Sequence, residues 1–135
     1  MKKLLLIFLL LGLGGHARAQ SQPQLNAGAC TQFKAADQQL NALYQQLQRL
    51  YAADATFLKA FRLSQLAWLT FRDAQLEARF PTRPNEAKQL TYGSAYAMCR
   101  CSVLAELTSA RNQQLQVWVR GTEEGNVCGG SVRRK

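Results

Sequence analysis

The stretch Ser64–Ala74 reads SQLAWLTFRDA and is the most informative part of this sequence. With 3.6 residues per turn, one stripe of a helix through this stretch carries four side chains: Phe61, Gln65, Trp68 and Arg72. The stripe begins with an apolar side chain and ends in a guanidinium group, which needs partners because burying an unpaired charge is costly. We therefore predict that Arg72 and its neighbour Asp73 join a polar network between helices.

Two further helical segments flank this one. Residues 31–53 keep helical spacing, and Asp54 is a natural N-cap for the helix that contains the quoted stretch. Pro81 ends that helix near residue 80, because proline has no N–H and clashes with the preceding turn. Ser94 can cap the last helix, and Gly121 fits the position just after its end. The sequence thus predicts three long helices.

The predicted fold class is all-α, because no useful length of strand-period alternation occurs. The first two helices are joined almost directly, so we expect a tight antiparallel hairpin. A longer link then lets the third helix run parallel to the first, in an up-down-up arrangement that disulfides hold together. Within the chain we expect a flexible lead-in at residues 20–29, a helical domain at residues 30–121 and a basic tail at residues 122–135 that carries Cys128.

The first 19 residues have the pattern of a secretory signal peptide. Lys2 and Lys3 precede an apolar run at residues 4–13, and Ala17-Arg18-Ala19 forms an A-x-A cleavage site. The apolar run is too short to span a bilayer, which takes about 20 residues. We therefore predict that residues 1–19 are removed and that the protein is periplasmic or secreted, without a transmembrane segment.

Charge and composition limit the possible functions. The net charge of +9 falls to +6 when Lys2, Lys3 and Arg18 leave with the leader, and His16 is the chain's one histidine. A mature chain without histidine has neither a Ser-His or Cys-His nucleophile pair nor a histidine-ligated zinc site. We therefore predict no catalytic residues, no metal and no cofactor. The basic surface shows no nucleic-acid motif, and export excludes a chromosomal partner.

The mature chain has an even number of cysteines, which in an exported protein indicates two disulfides: Cys30, Cys99, Cys101 and Cys128. A parallel third helix brings Cys99 and Cys101 close to Cys30. We expect Cys30 to bond one of these two and Cys128 to bond the other. The alternative is a soft-metal site for Cu(I) or zinc at Met98–Cys101, which an oxidising compartment disfavours.

Counting residues from the first turn places polar residues of all three helices at a similar height along the predicted bundle. At 1.5 Å per residue, Asp37 and Arg72 lie at similar distances from the first turn. The predicted inter-helix network contains six residues: Asp37, Asn41, Arg72, Asp73, Thr108 and Arg111. It either keeps the helices in register or forms a recognition surface. Acid–base catalysis by Asp37 and Asp73 is disfavoured, because arginine partners keep both carboxylates ionised whereas a general acid must hold its proton.

Helical spacing assigns five aromatic residues to the core: Tyr44, Phe57, Phe61, Trp68 and Phe71. The basic side chains are spread along the chain rather than clustered. Such a surface is either simply solvated or attracted to anionic envelope material such as lipopolysaccharide or teichoic acids.

Three motifs together resemble a known family: Ala36-Asp37…Leu40-Asn41…Tyr44, then Gln65-x-Ala67-Trp68-x-x-Phe71-Arg72-Asp73-Ala74, then Cys101…Leu107-Thr108-x-x-Arg111…Leu115. In this order they resemble the LprI-type lysozyme-inhibitor-like domain of small exported helical proteins, from about Cys30 to Leu115. The resemblance implies a disulfide-linked, non-enzymatic domain that binds and blocks lysozyme. Leu76 stands where the family often has a cysteine, so the disulfide pattern is altered, and the glycine-rich link is reduced to Gly93-Ser94.

Two functions follow as hypotheses. The first is a binding protein that inhibits lysozyme or another muramidase, a peptidoglycan-cleaving enzyme. Because lysozymes are typically basic, this partner requires a local acidic patch, for which Glu123 and Glu124 are the nearest candidates. The alternative is an envelope protein whose basic surface binds anionic polymers or lipids, without inhibitor activity.

Overall fold

A computed structural model describes residues 20–135, which form four helices: α1 (Gln22–Leu50), α2 (Ala55–Arg79), α3 (Lys88–Tyr92) and α4 (Tyr96–Arg120). The predicted all-α fold with three long helices is confirmed. The short helix α3 lies in the link before α4. Across residues 20–135 the extended structure is limited to one isolated bridge, between Thr122 and Arg134. The predicted leader at residues 1–19 lies outside the described residues.

Helix α1 begins earlier than the sequence pattern suggested. Ser21 is its N-cap, Pro23 lies in its first turn, and the backbone N–H of Ser21 donates to Oε1 of Gln24 at 2.9 Å. The expectation of a flexible lead-in at residues 20–29 is therefore wrong, since this segment is helical from Gln22. Serine followed three residues later by glutamine, with an early proline, is a helix-start signal that the search for apolar periodicity overlooked.

The other helix boundaries follow local chemistry. Asp54 caps α2, because its Oδ1 accepts the backbone N–H of Phe57 at 2.8 Å. Helix α2 stops at Arg79, just before Pro81. The N-cap of α4 is Ala95 rather than the expected Ser94, and no side chain caps it. Gly121 ends α4 with a φ of +79°, a conformation that glycine adopts without a Cβ clash.

The up-down-up order is present, but the closest helix pair is α1 with α4 rather than the expected tight hairpin. Helices α1 and α4 run parallel, and their backbones approach each other along their length, whereas α2 is further from both. The small side chains of Ala29 and Ala36 are buried on α1. In contrast, the aromatic rings of Tyr44 and Phe61 stack between α1 and α2, with centroids 5.1 Å apart. Side-chain size therefore separates α2 from α1.

The core has two apolar clusters. The larger lies near the α1–α2 turn and contains Leu40, Leu43, Leu47, Tyr51, Phe57, Phe61 and Leu115. The smaller lies toward the other end of α2 and contains Leu76, Val103 and Leu104. Among the predicted core aromatics, Phe57 and Phe61 are buried, and Tyr44 and Trp68 pack against the larger cluster. The assignment of Phe71 to the core is wrong, because Phe71 is 50% exposed on the flank of α2 outside the Phe61–Arg72 stripe.

One disulfide joins Cys30 of α1 to Cys101 of α4. Cys99 and Cys128 are free thiols, so the expected second disulfide through Cys128 is not formed. Cys99 lies at the start of α4 and Cys128 lies beyond its far end. A helix of 25 residues spans about 37 Å at 1.5 Å per residue, which is far more than a disulfide can bridge.

The C-terminal tail folds back onto the end of the helices. The backbone N–H of Thr122 donates to the carbonyl of Arg133, and that of Lys135 donates to the carbonyl of Thr122. The hydroxyl of Tyr51 connects this tail to the core, because it accepts the N–H of Arg133 at 2.9 Å and donates to the carbonyl of Trp118 at 3.1 Å. None of the helices within residues 20–135 has the length and hydropathy of a membrane-spanning segment.

Candidate functional site

A layer of polar side chains lies between the two apolar clusters, at the height where α2 packs beside α1 and α4. Gln65 of α2 and Thr108 and Asn112 of α4 are buried there. Trp68 lies in this layer, close to the guanidinium groups of both Arg72 and Arg111, whose Cζ atoms are 5.4 Å and 5.9 Å from the ring centroid. This geometry permits two cation–π contacts with one indole.

Arg72 belongs to a group with carboxylate partners. Its Nε donates to Oδ1 of Asp73 at 3.0 Å, and its Nη1 lies 3.8 Å from Oδ1 of Asp37 on α1. Nδ2 of Asn41 donates to the other oxygen of Asp37 at 3.4 Å. The Arg72 side chain is only 15% exposed. Four of the six network residues are thus together, and the one guanidinium group has two carboxylate partners.

Arg111 has different partners. Its Nε donates to Oε1 of Gln65 at 3.1 Å, its Nη2 to Oγ of Ser64 at 3.2 Å, and its Nη1 to Oε1 of Gln114 at 3.3 Å. No carboxylate of residues 20–135 forms an ion pair with it. Burial lowers the pKa of Arg111 from its ordinary value because desolvation disfavours the charged form. Within the described part of the chain, Arg111 is therefore a half-buried cation whose hydrogen-bond partners are all neutral.

Thr108 does not join the network, because its Oγ1 is buried and has no hydrogen-bond partner in the described range, residues 20–135. The buried polar contact of α4 is made by Asn112, which the sequence analysis did not single out. Its Nδ2 donates to the carbonyl of Ala36 at 2.9 Å and to Oε1 of Gln39 at 3.3 Å. The available signal was its position, four residues after Thr108 and three before the buried Leu115, on the inner face of α4.

A groove of about 450 Å³ lies between α2 and α4, next to Arg111. Its lining is mainly apolar and aromatic, with polar groups at its two ends: Asp54, Thr56, Phe57, Ala60, Phe61, Ser64, Arg111, Leu115, Trp118 and Ser131. Phe57 and Trp118 lie in ring contact, with centroids 5.1 Å apart. We call this the α2–α4 groove. It is not a product of the quoted motif alone, since its walls come from two helices and the tail.

A second surface feature is an exposed depression on the α1 side of α2, which we call the α2 patch and define by Leu58, Lys59, Arg62, Leu63 and Leu66. Leu63 is 59% exposed and Leu66 is 52% exposed. Neither Lys59 nor Arg62 forms an ion pair with any residue that the structure describes. Apolar and unpaired basic side chains thus share one face of α2.

The acidic residues offer no comparable patch. Both members of the predicted Glu123–Glu124 pair are exposed, but Glu123 pairs with Lys135 at 2.7 Å, which leaves Glu124 as the one without an ion pair among residues 20–135. Glu77 pairs with Lys88 at 2.6 Å, and Glu106 lies 3.6 Å from Arg79. The accessible charge of the helical domain is therefore mainly basic. Within residues 20–135, no group of three metal-ligating side chains comes together either.

Comparisons with known proteins add a family relationship. The family model described as lysozyme inhibitor LprI matches residues 15–115 of this chain. An uncharacterized protein of Rhizobium meliloti (strain 1021) is 33% identical over 118 residues, which cover 78% of this chain and 79% of that relative. No solved structure matches the chain significantly.

Proposed function

Since this chain belongs to the lysozyme inhibitor LprI family, we propose that it is an exported, non-enzymatic protein that binds and inhibits a peptidoglycan-cleaving enzyme of the lysozyme type. The observation that carries the proposal is the extent of the family match. Residues 15–115 include α1, α2, α3 and most of α4, so the match extends over the disulfide-linked helical body rather than one short motif.

The α2 patch is the surface that best fits such a partner. Leu63 and Leu66 supply exposed apolar area, and Arg62 supplies a long side chain of the type enriched at the centres of protein interfaces. Most glycoside hydrolases hold a pair of carboxylates at the bond they cleave. We therefore place the unpaired Arg62 and Lys59 against the acidic cleft of the enzyme, with the leucines against its rim.

This arrangement also explains how a basic protein can bind a lysozyme that is itself basic. An acidic patch on the inhibitor is not needed if its basic side chains contact the cleft carboxylates of an otherwise basic enzyme. The attraction is then local and short-range, while the rest of the two surfaces repel each other weakly at physiological salt.

The proposal is tested by a cell-wall lysis assay. The full chain is expressed with its own leader, and the exported protein is purified and titrated into a lysozyme-catalysed lysis reaction. We expect a dose-dependent fall in lysis rate that saturates at micromolar inhibitor. An unchanged rate at micromolar excess, across lysozymes of several structural classes, would contradict the proposal.

Two variants test the patch itself. Arg62→Glu and Leu66→Asp both change exposed positions, so we expect them to fold and to raise the inhibitory concentration about tenfold or more. Arg100→Glu is the matched control, because it makes the same charge change at an exposed position of α4 outside the patch. Equal losses for Arg62→Glu and Arg100→Glu would show that total charge, rather than the α2 patch, controls inhibition.

A further inference from the structure

We propose that the α2–α4 groove is a binding site for an amphiphilic monocarboxylate, with the carboxylate on Arg111 and the apolar chain along Phe57, Phe61 and Trp118. This site lies on a different flank of α2 from the α2 patch. It does not depend on the proposed inhibition of lysozyme.

The first argument is the unmatched charge of Arg111. Arg72, which also contacts Trp68, has two carboxylate partners, whereas the partners of Arg111 within residues 20–135 are the neutral oxygens of Gln65, Ser64 and Gln114. A half-buried guanidinium has lost part of its hydration, and an anion is the partner that offsets this loss best. Arg111 lines the groove, so a ligand in the groove can supply that anion.

The second argument is hydrogen-bonding capacity. A guanidinium group carries five N–H donors, and three are accounted for by the three neutral partners. The remaining donors suit a carboxylate, which accepts two parallel N–H bonds from arginine. Ser64 also lines the groove, and its hydroxyl can donate to the same carboxylate while its oxygen accepts from Arg111.

The third argument is the shape and lining of the groove. Its volume of about 450 Å³ lies in the range of about 300–1,000 Å³ that is usual for small-molecule sites. It follows α2 from Asp54 to Ser64, which is about 15 Å at 1.5 Å per residue. The walls between these ends are formed largely by aromatic rings and by Leu115, so an extended apolar chain would replace water along them.

The fourth argument concerns the far end. Asp54 lines that end, and its carboxylate already accepts the Phe57 N–H as the cap of α2. A ligand with a second negative charge would place that charge beside Asp54. The Asp54 end therefore disfavours a ligand that carries a second carboxylate. The Arg111 end favours a ligand with a negative head group over one with a positive head group.

Calorimetric titration of the exported protein with dodecanoate, below its micelle concentration, tests the site. We expect saturable binding at one site per chain. Dodecyltrimethylammonium has a chain of the same length with a positive head, and we expect it to bind at least about tenfold more weakly. Equal affinity for the two probes, or no saturable binding of dodecanoate, would overturn the proposal.

Three variants locate the ligand. Arg111→Gln is expected to weaken dodecanoate binding about tenfold or more, while Arg120→Gln, at an exposed position of the same helix, leaves it unchanged. Ala60→Trp adds a ring to an exposed position in the groove wall and should abolish binding while Arg111 is intact. Thermal melts identify any variant that fails to fold. If folded Arg111→Gln or Ala60→Trp binds dodecanoate like the wild type, the assignment is wrong.

Discussion

At the scale of single residues, the central feature is one tryptophan in contact with two arginines that have unlike partners. Arg72 is ion-paired with Asp37 and Asp73, and its contacts connect α1 to α2. Arg111 on α4 has neutral partners and borders a groove. We therefore propose that the same residue type serves two purposes: the ion-paired Arg72 holds helices in place, and Arg111, without a carboxylate partner among residues 20–135, is available to a ligand.

Arg72→Ala tests the structural role of the ion-paired arginine. We expect the variant to lose about 1–2 kcal/mol of unfolding free energy, and several degrees of melting temperature, because Asp37 loses its ion-pair partner and Trp68 loses a cation–π contact. Arg79→Ala is the control, since Arg79 and Glu106 are both more than half exposed, and such pairs contribute little. An unchanged melting curve for Arg72→Ala would show that the layer does not stabilise the fold.

At the scale of elements, the parallel pair α1–α4 is the structural centre, and α2 packs against it through large side chains. The pair is held at one end by the Cys30–Cys101 disulfide and at the other by the Tyr51 hydroxyl, which contacts both Trp118 and the tail. Between these points, Asn112 donates to the backbone of α1 at Ala36. Helix α2 has one outward apolar and basic face, which leaves the α2 patch available to a partner.

The disulfide carries a measurable share of the stability. Cys30 and Cys101 are 71 residues apart, and closing a loop of this length lowers the entropy of the unfolded chain by the equivalent of about 4 kcal/mol. We expect Cys30→Ser/Cys101→Ser to lose roughly this amount of unfolding free energy in a denaturant titration. Cys99→Ser and Cys128→Ser should have little effect because both thiols are free. A comparable loss in those two variants would indicate a second disulfide.

At the scale of the whole molecule, charge determines how a partner is approached. The chain carries 17 Lys and Arg against 8 Asp and Glu, and several of the carboxylates are engaged by the protein's own basic groups. Long-range forces between this protein and a basic lysozyme are therefore repulsive, while the contact proposed at the α2 patch is attractive. The repulsion and the contact attraction respond differently to salt, because screening weakens the longer-range repulsion first.

Salt dependence therefore distinguishes the two functional hypotheses. With a basic lysozyme we expect the association rate to rise from low salt to 0.15 M, where the Debye length is about 8 Å and the net repulsion is screened. Binding to an anionic polymer such as teichoic acid should instead weaken with salt, because counterion release drives it. Stopped-flow or surface-binding kinetics at several salt concentrations measure the trend. A lysozyme association rate that falls as salt is added would contradict the expected screening of net repulsion, and salt-sensitive polymer binding without any lysozyme binding would favour the alternative.

Local signals in the sequence were sufficient to divide the chain into its three long helices. The Asp54 cap, the stop before Pro81 and the glycine at Gly121 each act through backbone groups within a few residues, so the sequence determined them by itself. The family motifs are readable for the same reason. The start of α1 is equally local, because it is set by the capping contact between Ser21 and Gln24, although apolar periodicity begins only later in the helix.

Only the tertiary structure decided which helices pack closest, which thiols pair and which arginine is left without a carboxylate. These outcomes depend on side-chain volumes and distances between residues far apart in the chain. Cys99 and Cys101 are two residues apart, yet one meets Cys30 and the other does not, because they point to different sides of α4. Thr108 and Arg111 were placed in one network by their level along the helices, but Arg111 reaches Gln65 and Ser64 of α2, whereas the shorter Thr108 side chain is buried without a hydrogen-bond partner among residues 20–135. The height of a residue along its helix can be counted from the sequence, but helix packing decides which neighbour its side chain meets.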